Sequence, residues 1–104
     1  MPSQILILAQ LFIHPGREGE FRRFETEAAR IMRKHGGCIE RVIRPTVGVQ
    51  EEALPYEVHL LSFPSMEQFT AYRADVDLAK LTDLRQSAIA RTEVIIGEEG
   101  EPYL

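Results

Sequence analysis

Residues 4–13 read Q-I-L-I-L-A-Q-L-F-I, a run of strand length that is apolar on both of its faces. Successive side chains of a strand point to opposite sides of the sheet. The odd positions Ile5, Ile7, Ala9, Leu11 and Ile13 therefore make one apolar row, and the even positions Leu6, Leu8 and Phe12, interrupted by Gln10, make a second. A strand with one solvated face would alternate apolar with polar residues. Burying one Leu, Ile or Phe side chain contributes roughly 1.5–3 kcal/mol, a large share of the roughly 5–15 kcal/mol by which a domain is stable. A single layer of helices covers one face of such a strand. The other face needs a second apolar surface, and a second copy of the same chain is the simplest source of one.

A chain of 104 residues, 44% hydrophobic and 27% charged, has globular composition and room for one core. We assign residues 1–97 to a single domain and residues 98–104 to an acidic tail. Twelve Lys and Arg against sixteen Asp and Glu give a net charge of -4, which argues against a nucleic-acid backbone or an anionic membrane as partner. Glu51, Glu52, Glu98, Glu99 and Glu101 carry much of the acidic excess and read as solvated loop residues. Cys38 is the only cysteine, so no intramolecular disulfide can form. No Lys or Arg precedes the first apolar run, and that run is too short to span a bilayer. The expectation is a cytoplasmic protein with its start intact.

His14-Pro15-Gly16 breaks the chain after the first strand. Phe21, Phe24, Ala28, Ile31 and Met32 then recur at helical spacing over residues 17–34, with acids in the first turn and Arg33, Lys34 and His35 in the last. Gly36-Gly37 supplies a left-handed cap. Residues 38–44 predict a second strand, stopped by Pro45, and residues 56–63 a third. Ser65 and Gln68 have capping-box spacing at the start of a second helical stretch. That stretch breaks near Asp75-Val76-Asp77 and resumes with Leu78, Leu81, Leu84 and Ala88 as its buried stripe. Residues 91–96 predict the last strand. The order strand, helix, strand, strand, helix, strand is the α+β, ferredoxin-like βαββαβ pattern, an antiparallel sheet with both helices on one face. The doubly apolar first strand then predicts a homodimer joined through the open sheet face.

His35-Gly36-Gly37, the strand ending in Arg44, the segment Phe63-Pro64-Ser65-Met66-Glu67 and the later Leu84-Arg85 resemble, in order and spacing, a bacterial family of small uncharacterised domains in the dimeric α/β-barrel superfamily. The resemblance spans most of the chain. It implies a homodimer with a barrel-like core and, in each subunit, a pocket between sheet and helices. The wider superfamily includes cofactor-free monooxygenases acting on polycyclic phenols, lactone isomerases and haem-binding enzymes; the close family has no agreed catalytic residues to transfer. Two segments depart from its pattern. Residues 47–54 read V-G-V-Q-E-E-A-L where such proteins usually carry a Glu-Gly pair, and residues 71–75 read A-Y-R-A-D in place of an aromatic and serine-rich link.

Several residues suit chemistry. His59 stands in mid-strand among Val58, Leu60 and Leu61, and reads either as a core histidine with one hydrogen-bond partner or as a general base lining the pocket, with His14 at the end of the neighbouring strand. Arg44 and Arg85, picked out by the resemblance, suit bidentate grip on a carboxylate or enolate; the plainer reading is an ion pair with Glu57, Asp75 or Glu93. Tyr56 and Tyr72 either orient a phenolic substrate or pack with a satisfied hydroxyl. His35 reads as a surface residue complementing the helix dipole. Cys38 follows a helix C-terminus and lacks the positive dipole end that makes a thiolate.

Residues 56–63 carry no Lys or Arg, unlike the RNA-binding faces of this fold class. No Cys-x-x-Cys follows the first strand, and no two histidines have metal-ligand spacing. The reading is a pocket for a small organic molecule, lined by His14, Arg44, His59, Tyr72 and Arg85. Any turnover would be general acid/base chemistry with no cofactor and no metal. The alternative is a non-catalytic dimerisation or interaction module.

Overall fold

The computed structural model describes residues 4–48 and 53–103. Four strands, β1 (Ile5–Ile13), β2 (Cys38–Ile43), β3 (Glu57–Phe63) and β4 (Ile89–Gly97), form one sheet in the order β2-β3-β1-β4. All three adjacent pairs are antiparallel. Helix α1 (Glu18–Lys34) links β1 to β2, and α2 (Met66–Arg73), α3 (Val76–Ala79) and α4 (Thr82–Ala88) link β3 to β4. This is the ferredoxin-like fold, with its helices on one face.

Capping chemistry sets the joints. Gly36, at φ +76, follows α1; its N–H donates to Arg33 O and the Gly37 N–H donates to Met32 O, closing the helix in a Schellman motif. Gly37 is buried, and a Cβ there would run into the Met32 and Phe63 side chains. The glycine pair thus both ends α1 and lets it lie close on β3. Ser65 Oγ accepts from the Gln68 N–H at 3.2 Å to start α2. Asp75 Oδ1 accepts from the Asp77 N–H at 2.8 Å and starts α3, the break that the two short acids predicted.

The odd row of β1, Ile5, Ile7, Ala9 and Leu11, is buried under the helices. One apolar cluster centres on Ile7, Phe63 and Tyr72, and another on Phe21, Phe24 and Ala88. The even row, Leu6, Leu8 and Phe12, is only half-buried. Leu8 lies opposite Leu60 of β3 and Ile95 of β4, and Ile43 of β2 lies opposite Val58, so the open face carries an apolar patch across all four strands.

Three expectations need correction. After the break the chain forms two short helices, and of the expected stripe only Ala88 is fully buried, with Leu78, Leu81 and Leu84 half-buried at the layer's rim. The last strand begins at Ile89, two residues early, because Ile89 pairs with Ile13 across a register shift and packs beside Ala88. His35 is no free surface residue: its Nε2 stands 2.7 Å from Asp75 Oδ2. Lys34 Nζ adds a 3.3 Å contact to the same oxygen, so the end of α1 is tied to the break before α3. The solvated-loop reading of Glu51 and Glu52 lies outside the described residues. No helix among the described residues is long and apolar enough to cross a membrane.

Candidate functional site

A cavity of about 570 Å³ lies between the helices and the inner face of the sheet, within the roughly 300–1,000 Å³ range of small-molecule sites. Its floor is apolar, with Ile7, Ala9 and Leu61 from the sheet facing Phe24, Ala28 and Met32 of α1. Val94 and Ile96 share its β4 wall. Their partners across the sheet, Ala9 and Ile7, are buried, but they are 49% and 43% exposed, so the cavity opens to solvent along β4.

The polar groups gather around His59, which is 4% exposed. Positions 57, 59, 61 and 63 of β3 alternate inward, so Glu57 and His59 share the face that packs on α1, and both are buried. His59 Nε2 is 2.8 Å from Glu57 Oε1, and the Arg44 Nε–H donates to Glu57 Oε2 at 2.8 Å. In its neutral form His59 donates from Nε2 to Glu57 and keeps an Nδ1 lone pair; in its charged form both nitrogens face carboxylates. Nδ1 faces Glu25 Oε2 of α1 at 3.7 Å, beyond hydrogen-bond length. Burial pushes the Glu25 carboxyl above its ordinary 4.5; Glu57 pushes the same way, while His59 and Arg85 oppose. On the other side of the cavity, burial raises the Tyr72 phenol to about 12, with Glu25 adding to the shift and Arg85 opposing it. Tyr72 thus stays a neutral hydrogen-bond donor at physiological pH.

The arrangement is an orienting carboxylate, an imidazole with an open nitrogen, and a second carboxylate whose affinity for a proton is raised by its surroundings. Such a set can accept a proton from a bound molecule and return it elsewhere on the same molecule. Among the described residues, no group of three His, Cys, Asp or Glu side chains is placed to hold a metal ion.

Of the residues singled out from the sequence, His59, Tyr72 and Arg85 line this one cavity. Arg44 does not line it; its side chain is 77% exposed and reaches the site only through Glu57, in the ion pair that the plainer reading named. His14 is exposed in the turn after β1, where its backbone N–H donates to Ala88 O, and it too is absent from the cavity wall. Glu25 escaped the sequence reading, although a signal was present. It lies four residues after Phe21 and three before Ala28, a carboxylate inside the apolar stripe of α1.

Residues 6–99 match the family described as a domain of unknown function, DUF1330. The chain belongs to the DUF1330 family. None of the curated proteins matches it. Among solved structures, it is similar to a protein of unknown function from Rhodopseudomonas palustris at TM-score 0.81 and 16% identity, over 98% of this chain and 86% of that one. It is also similar to a DABB family protein with a ferredoxin-like fold from Mesorhizobium loti, at TM-score 0.68 and 15% identity over 95% and 99% of the two chains. A third likeness is to a NIPSNAP family protein of unknown function from Agrobacterium tumefaciens, at TM-score 0.70 and 17% identity over 94% and 89%. At these identities the likeness is one of fold, so this DUF1330 domain has to be read from its own site.

Proposed function

We propose that this DUF1330 domain binds a small organic molecule in the cavity between sheet and helices, and that His59 and Glu25 exchange a proton with it. The observation that carries the reading is a buried histidine with Nε2 held 2.8 Å from Glu57 and Nδ1 outside bonding distance of Glu25, on the wall of a cavity large enough for a ligand. A core histidine that served packing alone would have no need of a second carboxylate 3.7 Å away on another element. In this scheme His59 is the base, Glu25 stores or returns the proton, Tyr72 donates a hydrogen bond to the developing anion, and Arg85 offsets its charge. Arg44 is a positioning residue acting through Glu57. We give His14 no part in it.

Native mass spectrometry of the purified protein tests binding directly. A reproducible added mass that disappears in His59→Gln, while the variant's circular dichroism spectrum stays that of the wild type, is the expected result. The same adduct on wild type and variant would move any ligand away from His59 and leave this scheme without its base.

A second reading has its own support in the open sheet face. Leu8, Leu60 and Ile95 are neighbours there, and Ile95 is 62% exposed. A self-complementary patch of this kind fits a two-fold dimer joined sheet to sheet. The domain then serves as a dimerisation module, with or without chemistry in its cavity. Sedimentation at micromolar concentration separates the cases: a dimeric mass is expected, and a monomeric one rejects the sheet-face dimer.

A further inference from the structure

Arg17, Arg30, Arg44 and Arg91 each hold a carboxylate. Six of the ten arginines, Arg22, Arg23, Arg33, Arg41, Arg73 and Arg85, hold no carboxylate among the described residues, and of these only Arg73 and Arg85 line the cavity. Both are exposed at the residue level, which places them at the opening and not in the floor. The Arg73 guanidinium lies 5.6 Å from the centroid of the Phe69 ring, a cation–π contact that restrains it over the cavity wall. Arg85 is near enough to Tyr72 and Glu25 to oppose the upward shift of both. Against these two cations the cavity wall offers a single carboxylate, Glu25. Glu57, beneath it, is already occupied by His59 and Arg44. A net positive mouth on a chain of net charge -4 concentrates anions locally.

A second observation comes from the opposite wall. Thr92 Oγ1 is buried without a hydrogen-bond partner, and Thr92 lines the same cavity from β4. Buried hydroxyls in proteins are nearly always paired, so this one is open to a polar atom of a ligand or to a water. Apart from His59 and Tyr72, the remaining lining, Ile7, Leu61, Met32, Val94 and Ile96 among it, is apolar.

We infer that the cavity selects a largely apolar organic anion, a carboxylic acid or an enolate of comparable size, with its charged end held by Arg73 and Arg85 at the mouth and its apolar body on the Leu61 and Met32 floor. The inference rests on the cavity being a binding site and specifies what enters it. A guanidinium pairs with a carboxylate by parallel hydrogen bonds that neither an amide nor an amine of the same shape reproduces. The body of the ligand then lies toward His59 and Glu25, so a proton lost from it would leave a charge that Arg85 already faces.

The probes are 2-naphthoate and 2-naphthamide, which share shape and differ in charge, titrated by calorimetry with amide shifts at Ala28 and Leu61 reporting location. The acid is expected to bind about tenfold more tightly than the amide, a difference of about 1.4 kcal/mol. That preference should shrink as salt is raised, because the two arginines are exposed. In Arg73→Gln/Arg85→Gln the preference is expected to vanish while amide binding persists, which also shows that the variant keeps its cavity. Equal binding of acid and amide to the wild type would overturn the anion selectivity and leave the binding site standing. Retained preference in the double variant would overturn the assignment to these arginines. If neither probe moves the cavity resonances at millimolar concentration, the binding reading fails and this inference fails with it.

Discussion

Two histidines of this domain meet a carboxylate at nearly the same distance, 2.7 Å for His35 with Asp75 and 2.8 Å for His59 with Glu57, yet the two pairs sit in different surroundings. His35 and Asp75 join two helix ends at the edge of the molecule. Lys34 bridges Asp75 and Asp77 beside them, and the Asp77 N–H donates to the other Asp75 oxygen. His59 and Glu57 lie under α1, and the next acid, Glu25, stops short of bonding distance across the cavity. Pair geometry alone therefore says little about role. What differs is the setting of the imidazole: His59 lies on a cavity wall with Glu25 3.7 Å from its other nitrogen, and His35 does not line that cavity.

The largest effect that would sharpen this contrast is expected from Glu57→Ala. It strips the buried His59 and the Arg44 guanidinium of their shared acceptor, and leaving a buried polar group unsatisfied costs about 1–3 kcal/mol. The urea midpoint should fall accordingly, and an unchanged midpoint would show that the buried pair contributes no more than a surface contact.

The edge pair should reveal itself in acid. Its hydrogen bond with His35, followed by the bond from the Asp77 N–H and the nearby Lys34, draws the Asp75 carboxyl from 3.8 down to about 2. A carboxyl whose folded value is depressed stabilises the fold fully above its unfolded value, and that contribution is lost as pH falls from about 4 toward 2. Asp75→Asn should flatten this acid limb in thermal melts recorded from pH 6 to 2. Melting curves of the two proteins that run parallel through that window would rule it out.

Glu25→Gln should act in the opposite sense and more weakly. Burial raises the folded value of Glu25, so its ionised form is less comfortable in the protein than in water. Its unfavourable contribution grows as pH rises through the ordinary carboxylate value toward the raised one. The glutamine variant should melt at or above the wild-type temperature at pH 7, with the gap closing at pH 4, while proton exchange with a bound ligand is lost. A variant that melts lower at pH 7 would make Glu25 a structural partner of His59. Smallest of all is Arg44→Gln, whose exposed guanidinium is expected to contribute about 0–1 kcal/mol; a larger drop in the urea midpoint would mean that Glu57 depends on it.

Much of the architecture was legible because local signals agreed with one another. The doubly apolar β1, the Gly36-Gly37 stop, the Ser65 cap and the acid-flanked break at Val76 each state a boundary in a few residues, and the structure uses all four. The site was legible only in part. Sequence alternation placed His59 on β3 but left open which side of the sheet was cavity. Arg44 and His14 sit at strand ends, where a shift of one turn decides whether a side chain reaches a pocket, and neither lines it. Glu25 was overlooked because carboxylates are abundant on helices, and only its position within the apolar stripe distinguishes it from Glu18 or Glu20 on the same helix.

The central place of β1 in the order β2-β3-β1-β4 has a consequence in time. The strand is synthesised before both of its hydrogen-bonded neighbours, Glu57–Phe63 and Ile89–Gly97. At synthesis rates of about 5–20 residues per second, β1 waits on the order of 4–16 s for its last neighbour. Until β3 is made both edges of this uncharged, proline-free stretch are unpaired, and one edge stays unpaired until β4 follows, the profile of a segment that joins itself to other nascent chains. Yield in a cell should then depend on chaperone occupancy and translation speed more than on the stability of the finished fold.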